Sequence, residues 1–227
     1  MGYFFVPCCK QTYPMSYSTA SSQHRTPFFQ NRLLQVFLLI FAVCWIVTFI
    51  NTTDRANWYT ENTLTVIFLV GLTYSYRKFV FSDLSYTLIF IYMLLHIYGA
   101  EYTYSENPLG YWLKDVLGLA RNHYDRIVHC SFGLLLGYPL RDYFRNWFQW
   151  PVWVCFILPI EITMSFSGIY EIIEWLVAEV FFPAEGAAYL GTQGDVWDAQ
   201  KDMALAFVGA IVSMFVTFVL VKLRKPM

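Results

Sequence analysis

Charge is scarce in this chain. Only 14 % of its 227 residues are Asp, Glu, Lys or Arg, where a soluble domain carries about one quarter. The formal net charge is −1, and no broad basic patch exists, so a nucleic-acid partner is excluded. Cysteine is also sparse: Cys8, Cys9, Cys44, Cys130 and Cys155 form no CxxC pair. That argues against a zinc ribbon or a dithiol centre, and three of the five fall in apolar stretches as small core residues. The N-terminus has no apolar h-region of a conventional signal peptide. Val6 stands where a myristoylation motif needs Ser or Thr.

What the chain has instead is apolar sequence. Hydrophobic residues make up 57 % of it, the balance of a polytopic membrane protein. Residues 1–30 are polar and aromatic and read as a poorly ordered tail, with Met15 an alternative start to Met1. Residues 31–227 read as one all-α transmembrane bundle. Its first span is Leu33 to Ile50. A polar loop, NTTDRANWYTEN, leads to a short second span, about Leu64 to Tyr76, closed by Arg77-Lys78. Asp83 opens the third, with His96 near its far end.

A long aromatic and charged loop follows, EYTYSENPLGYWLKDVLGLARNHYDR, whose Trp and Tyr content favours order at the membrane interface. The fourth span begins near RNHYDRIVH and reaches full length only if Arg121 to Arg126 lie in its first turns. The fifth, Pro151 to Phe182, is longer than a bilayer needs, and Pro159 and Gly168 can break or bend it. The sixth starts near Asp202 and ends in KLRKPM. About six spans result.

Basic residues give the orientation. Lys10, Arg25, Arg32, Arg77, Lys78, Arg141, Arg145, Lys222, Arg224 and Lys225 fall on one side. Arg55, Lys114, Arg121, Arg126 and Lys201 fall on the other. Both termini are therefore expected in the cytoplasm.

That topology sends the ionisable side chains to one leaflet, facing away from the cytoplasm. Asp125 and His129 are i and i+4 at the start of the fourth span, as are Asp198 and Asp202 at the start of the sixth. Glu171 and Glu174 are i and i+3 in the outer half of the fifth. Carboxylates with an imidazole form the ligand set of Zn²⁺, Mn²⁺ or Fe²⁺, and of Mg²⁺ where oxygen dominates. A divalent metal also lets so many carboxylates face one another while ionised.

The residues divide into roles accordingly. His129, Glu171, Glu174 and Asp202 are the expected metal ligands, and Asp125 or Asp198 the base or orienting group. Arg121, Arg126, Lys201, Asp195 and His96 are weaker candidates for contacting an anionic substrate. Asn122 and Gln193 read as loop-fixing hydrogen bonders, and Gly191 and Gly194 as the turn before the last helix. Glu161, near Pro159, can line a path through the inner half.

At these same residues the sequence resembles the bacterial YjdF-type inner-membrane proteins. The matching stretches are HIYGAEYTYSENPLG from His96, RNHYDRIVH from Arg121, YEIIEW from Tyr170 and GTQGDVWDAQKDM from Gly191. They cover most of the chain from about residue 60 onward. The resemblance implies a helical protein of about six spans in a bacterial cytoplasmic membrane and carries no reaction with it.

Three functions compete. The first is a metal-dependent enzyme at the outer leaflet acting on a lipid-linked or phosphate-bearing substrate. The second is a transporter or ion-coupled carrier using the membrane-embedded glutamates. The third is a structural or assembly protein whose polar network only holds the bundle.

Overall fold

A computed structural model describes residues 28–181 and 192–223. Seven α-helices make up nearly all of it: α1 (Arg32–Asn51), α2 (Arg55–Tyr76), α3 (Asp83–Glu101), α4 (Pro108–Leu117), α5 (Tyr124–Asn146), α6 (Val154–Leu176) and α7 (Asp198–Leu223). A 3-10 turn, Phe28–Gln30, precedes α1, and a π-helical turn, Val177–Phe181, prolongs α6. There is no strand among the described residues. The expected all-α membrane bundle is therefore the fold.

Four helices (α1, α3, α6 with its π turn, and α7) are long and apolar enough to cross a membrane. The other two long helices, α2 and α5, have 22 and 23 residues. At 1.5 Å per residue they reach about 33 Å, the thickness of a hydrocarbon core. Their lower hydropathy comes from polar residues turned into the bundle. On α2 the buried positions are Asn57, Trp58, Glu61, Asn62 and Thr65.

Each start has a local cause. Asn31, Asp54, Ser82 and Asn107 stand before α1, α2, α3 and α4, and each side chain accepts a hydrogen bond from a backbone N–H of the first turn. Such caps satisfy donors that a helix end leaves unpaired. Helix α4 adds Pro108 at its first position and ends on Gly118 at φ +63°, the pairing of start and stop residues that suits a short helix.

The central contact is the crossing of α5 and α7. A Cβ on Gly133 would lie 1.9 Å from the Ala206 carbonyl oxygen, and one on Gly209 would lie 2.2 Å from that of Cys130. Only hydrogen fits at either place, so the two backbones touch, as small residues allow in membrane bundles. Helix α3 packs on α5, α6 on both α5 and α7, and α1 and α2 on α3. Phe41, Ile89, Met93, Ile97 and Leu136 form the apolar core between α1, α3 and α5.

The fold corrects several boundaries. Residues 55–62, expected in a loop, are the first two turns of α2, so that span is not short. The long connection after α3 contains α4. Arg121 lies before α5, which gains its length at the other end by running to Asn146. Helix α6 continues through both Pro159 and Gly168, and the last helix begins at Asp198 rather than Asp202. Of the expected tail, residues 1–27 lie outside the described residues, as do Cys8, Cys9, Gly191 and the basic residues after Leu223.

Candidate carboxylate and histidine site

Five helices bring ionisable side chains to one end of the bundle: α2 near its start, α3 at its end, α5 at its start, α6 at its end and α7 at its start. Three residues stand closest. Asp125, His129 and Asp202 each offer one ligand atom, and these atoms all lie within 4.8 Å of one another. His129 Nε2 is 3.5 Å from Asp125 Oδ1 and 3.6 Å from Glu171 Oε1. Those separations are long for hydrogen bonds. They match the spacing of about 3–3.5 Å between ligands that each stand about 2.1 Å from a shared ion.

Burial sharpens the chemistry. Asp202 is 2 % exposed and His129 8 %. Two carboxylate oxygens of the group, Glu171 Oε1 and Asp202 Oδ1, are buried with no hydrogen-bond partner among the described residues. A buried, unpartnered carboxylate oxygen is costly, and such atoms are uncommon in native structures. Here two of them border the same histidine group.

The second half of the cluster is satisfied internally. Arg126 Nη2 donates to Asp195 Oδ2 at 2.6 Å and to Asp198 Oδ1 at 2.9 Å. Arg121 forms a fork with both oxygens of Asp198, a geometry that guanidinium and carboxylate share. Lys201 closes on Asp195 at 2.6 Å from an exposed position. Asp195 stands in the loop before α7. Its hydrogen bonds from Lys201, Arg126 and the Trp197 N–H hold its carboxyl well below the usual carboxylate range. Asp198 is thus committed to the arginines, whereas Asp125 belongs with His129 and Asp202.

The loops that hold these arginines are tied together. Gln193 accepts from the Asn122 N–H and donates to the Asn122 carbonyl, both at 3.0 Å. Asn122 also donates to the Asn107 carbonyl, and Gly194 turns the chain at φ +86°. Asn122 and Gln193 therefore act as expected.

Glu174 sits one turn beyond Glu171, beside Tyr170 and Glu61. His96 occupies a neighbouring tier, where its Nδ1 pairs with the Tyr104 hydroxyl at 2.6 Å and its ring faces Tyr92. Glu161 is exposed on α6. The sequence reading missed Glu61, which is 5 % exposed and accepts a hydrogen bond from Tyr170 at 2.9 Å. Its signal was present: Asp54 before a helical repeat of Asn57, Glu61 and Thr65 at i and i+4.

This architecture, with several bilayer-length helices and ionisable groups turned inward at one end, defines a multi-pass α-helical membrane protein. The chain belongs to the DUF2238 family of predicted membrane proteins, whose pattern matches residues 33–223. It is 33 % identical over 189 residues to the inner membrane protein YjdF of Escherichia coli strain K12, covering 80 % of this chain and 87 % of that one. It is accordingly a protein of the YjdF type, in the inner membrane. No solved structure matches it.

Proposed function

We propose that the cluster is a divalent-metal site of a membrane enzyme acting on a lipid-linked or phosphate-bearing substrate. Asp125, His129 and Asp202 are the ligands in this account, with Glu171 closing the set. The observation that carries it is the pair of buried, unpartnered carboxylate oxygens, Glu171 Oε1 and Asp202 Oδ1, beside a histidine already within reach of two acids. A divalent ion there polarises a phosphoryl oxygen or activates a water. Arg121 and Arg126, held by Asp198 and Asp195, place positive charge at the rim, where an anionic group would arrive. Glu174 stands beside Tyr170, which also bonds to Glu61.

The transporter alternative has less behind it, because Glu161, its candidate in the inner half, is exposed on α6. A purely structural network accounts well for the arginine half of the cluster but leaves Glu171 Oε1 and Asp202 Oδ1 without a hydrogen bond among the described residues, although Arg126 Nε stands 4.0 Å from the latter.

Six of the seven helices have bilayer length, which favours six crossings with α4 lying along the surface. Exposed Trp112 and Trp197 suit the headgroup level at the site end. Arg32, Arg77, Lys78, Arg141, Arg145 and Lys222 lie at the opposite ends of their helices, which favours cytoplasmic termini and a site facing outward. Labelling by a membrane-impermeant thiol reagent tests this: a cysteine placed at exposed Trp197 should react in intact cells, and one at Asn146 should not.

The metal site is tested by melting the detergent-purified protein with Mn²⁺ or Zn²⁺ and with a chelator. The parent should gain several degrees from one of these ions, and Asp202→Asn should gain none. An ion-dependent gain that survives in Asp202→Asn refutes the assignment.

A further inference from the structure

At the end of the bundle away from the carboxylates, α5, α6 and α7 bring together two cations and two rings. The Arg141 guanidinium carbon stands 4.6 Å over the Phe156 ring, and Lys222 Nζ stands 4.7 Å over the Phe218 ring. The two rings meet edge to face at 5.9 Å. One turn along α5, Arg145 adds a third cation and donates to the Trp150 carbonyl at 3.4 Å.

Arg141 has no carboxylate partner among the described residues. Its Nε is buried with no hydrogen-bond acceptor there. The adjacent acid, Asp142, is turned the other way. It accepts from the Ser82 N–H at 3.0 Å and the Ser85 hydroxyl at 2.7 Å, both from the α3 end, and from the Asn146 amide. Among the described residues this guanidinium is held by a ring face, a modest attraction compared with a charged, forked acceptor.

We propose that Arg141 and Lys222, on the Phe156–Phe218 ring pair, bind the phosphate of an anionic phospholipid headgroup. The phosphodiester supplies the paired oxygens that a guanidinium fork matches, while the ammonium takes a point contact. A lipid fits better than a free anion for two reasons. Exposed Trp150 and Trp153 mark the headgroup level of the same end. The exposed side chains of Ile157 and Val219 continue from the rings along α6 and α7 as an apolar surface for acyl chains. Basic pockets between helix ends are a recurring form of such sites. This site shares no residue with the carboxylate cluster and does not depend on its function.

Native mass spectrometry of the full chain, titrated with phosphatidylglycerol or phosphatidylcholine, tests it. The parent should retain phosphatidylglycerol in preference. The Arg141→Ala/Lys222→Ala double variant should lose roughly tenfold or more of that affinity, while Arg77→Ala/Lys78→Ala, basic residues at the same end on α2, should keep it. Melting of the double variant in phosphatidylcholine shows whether it is folded. If it is not, the single Lys222→Gln variant replaces it, with a smaller loss expected. Equal retention of the two lipids by the parent overturns the proposal. So does unchanged phosphatidylglycerol binding in the folded variant, an equal loss in the α2 control, or displacement of the lipid by inorganic phosphate at millimolar concentration.

Discussion

Glu61 of α2 accepts a hydrogen bond from the Tyr170 hydroxyl of α6 at 2.9 Å, joining residues 109 positions apart. Both side chains sit at the candidate site, so the bond ties the loosely packed α2 to the helix that carries Glu171 and Glu174. Tyr170→Phe removes the donor and leaves a buried carboxylate without it, which should cost about 1–3 kcal/mol. Thermal melting measures the loss, and a Glu61→Gln variant should lose less, because an amide keeps an acceptor for the hydroxyl. A Tyr170→Phe variant as stable as the parent means that the bond does not hold α2.

The helices that carry His129 and Asp202 make their closest described approach at glycines four and seven residues further along. Gly133 lies one turn past His129, and Gly209 lies two turns past Asp202. Each faces the other helix at less than van der Waals distance for any Cβ. Gly209→Ala should force α5 and α7 apart, at a cost of about 1–3 kcal/mol. It should also weaken metal binding although it touches no ligand. Measuring both in one variant separates this from a local effect: unchanged affinity in a destabilised protein would show that the crossing does not set the site.

The arginine half of the cluster predicts a moderate loss of stability from one substitution. Arg126 bonds to both Asp195 and Asp198, and Asp198 is almost fully buried. Arg126→Ala removes one of the two guanidiniums that hold that carboxylate and leaves Arg121 as its partner, so the lost charged hydrogen bonds should cost about 1–3 kcal/mol. Chemical or thermal denaturation should show this loss, and Arg126→Lys should recover much of it, since both bonds come from one nitrogen, Nη2, and an ammonium can make the same point contacts.

Asp195 gives the pH dependence. Its carboxyl is held below the ordinary value of 3.8 in the folded chain, so the ionised form is favoured by folding. The stabilisation is present in full above the unfolded value and is lost as pH falls toward the lower folded one. The difference in melting temperature between the parent and Asp195→Asn should therefore be constant from pH 7 to about 5 and shrink below about pH 4. A difference that grows on acidification contradicts the network drawn around Lys201, Arg126 and the Trp197 N–H.

Much of this is legible in the sequence. The pairs Asp125/His129 and Asp198/Asp202 follow from helical spacing, and their arrival at one end follows from alternating spans. Asn122 and Gln193 were recognisable as loop ties from their place beside glycine and charge. Glu61 was hidden because NTTDRANWYTEN is polar throughout. Its helix is amphipathic with the polar face inward, the reverse of the pattern that marks a soluble helix. The division of labour within the cluster was hidden too. Spacing puts Asp125, Asp198 and Asp202 on an equal footing. Distances show that Arg121 and Arg126 hydrogen-bond Asp198, while Asp202 Oδ1, with Arg126 Nε 4.0 Å away, has no hydrogen bond among the described residues. Glu161, an acid beside Pro159, reads as a path residue in the sequence and is exposed on α6 in the fold.

The central claim is that Asp125, His129 and Asp202 hold a metal ion. The most direct test is elemental mass spectrometry of the purified protein from metal-supplemented cells, beside His129→Ala, Asp202→Asn and Asp195→Asn. The account predicts about one divalent ion per chain in the parent, near-complete loss in the first two variants and retention in the third. Folded parent protein without bound metal, or equal metal in all four proteins, contradicts it.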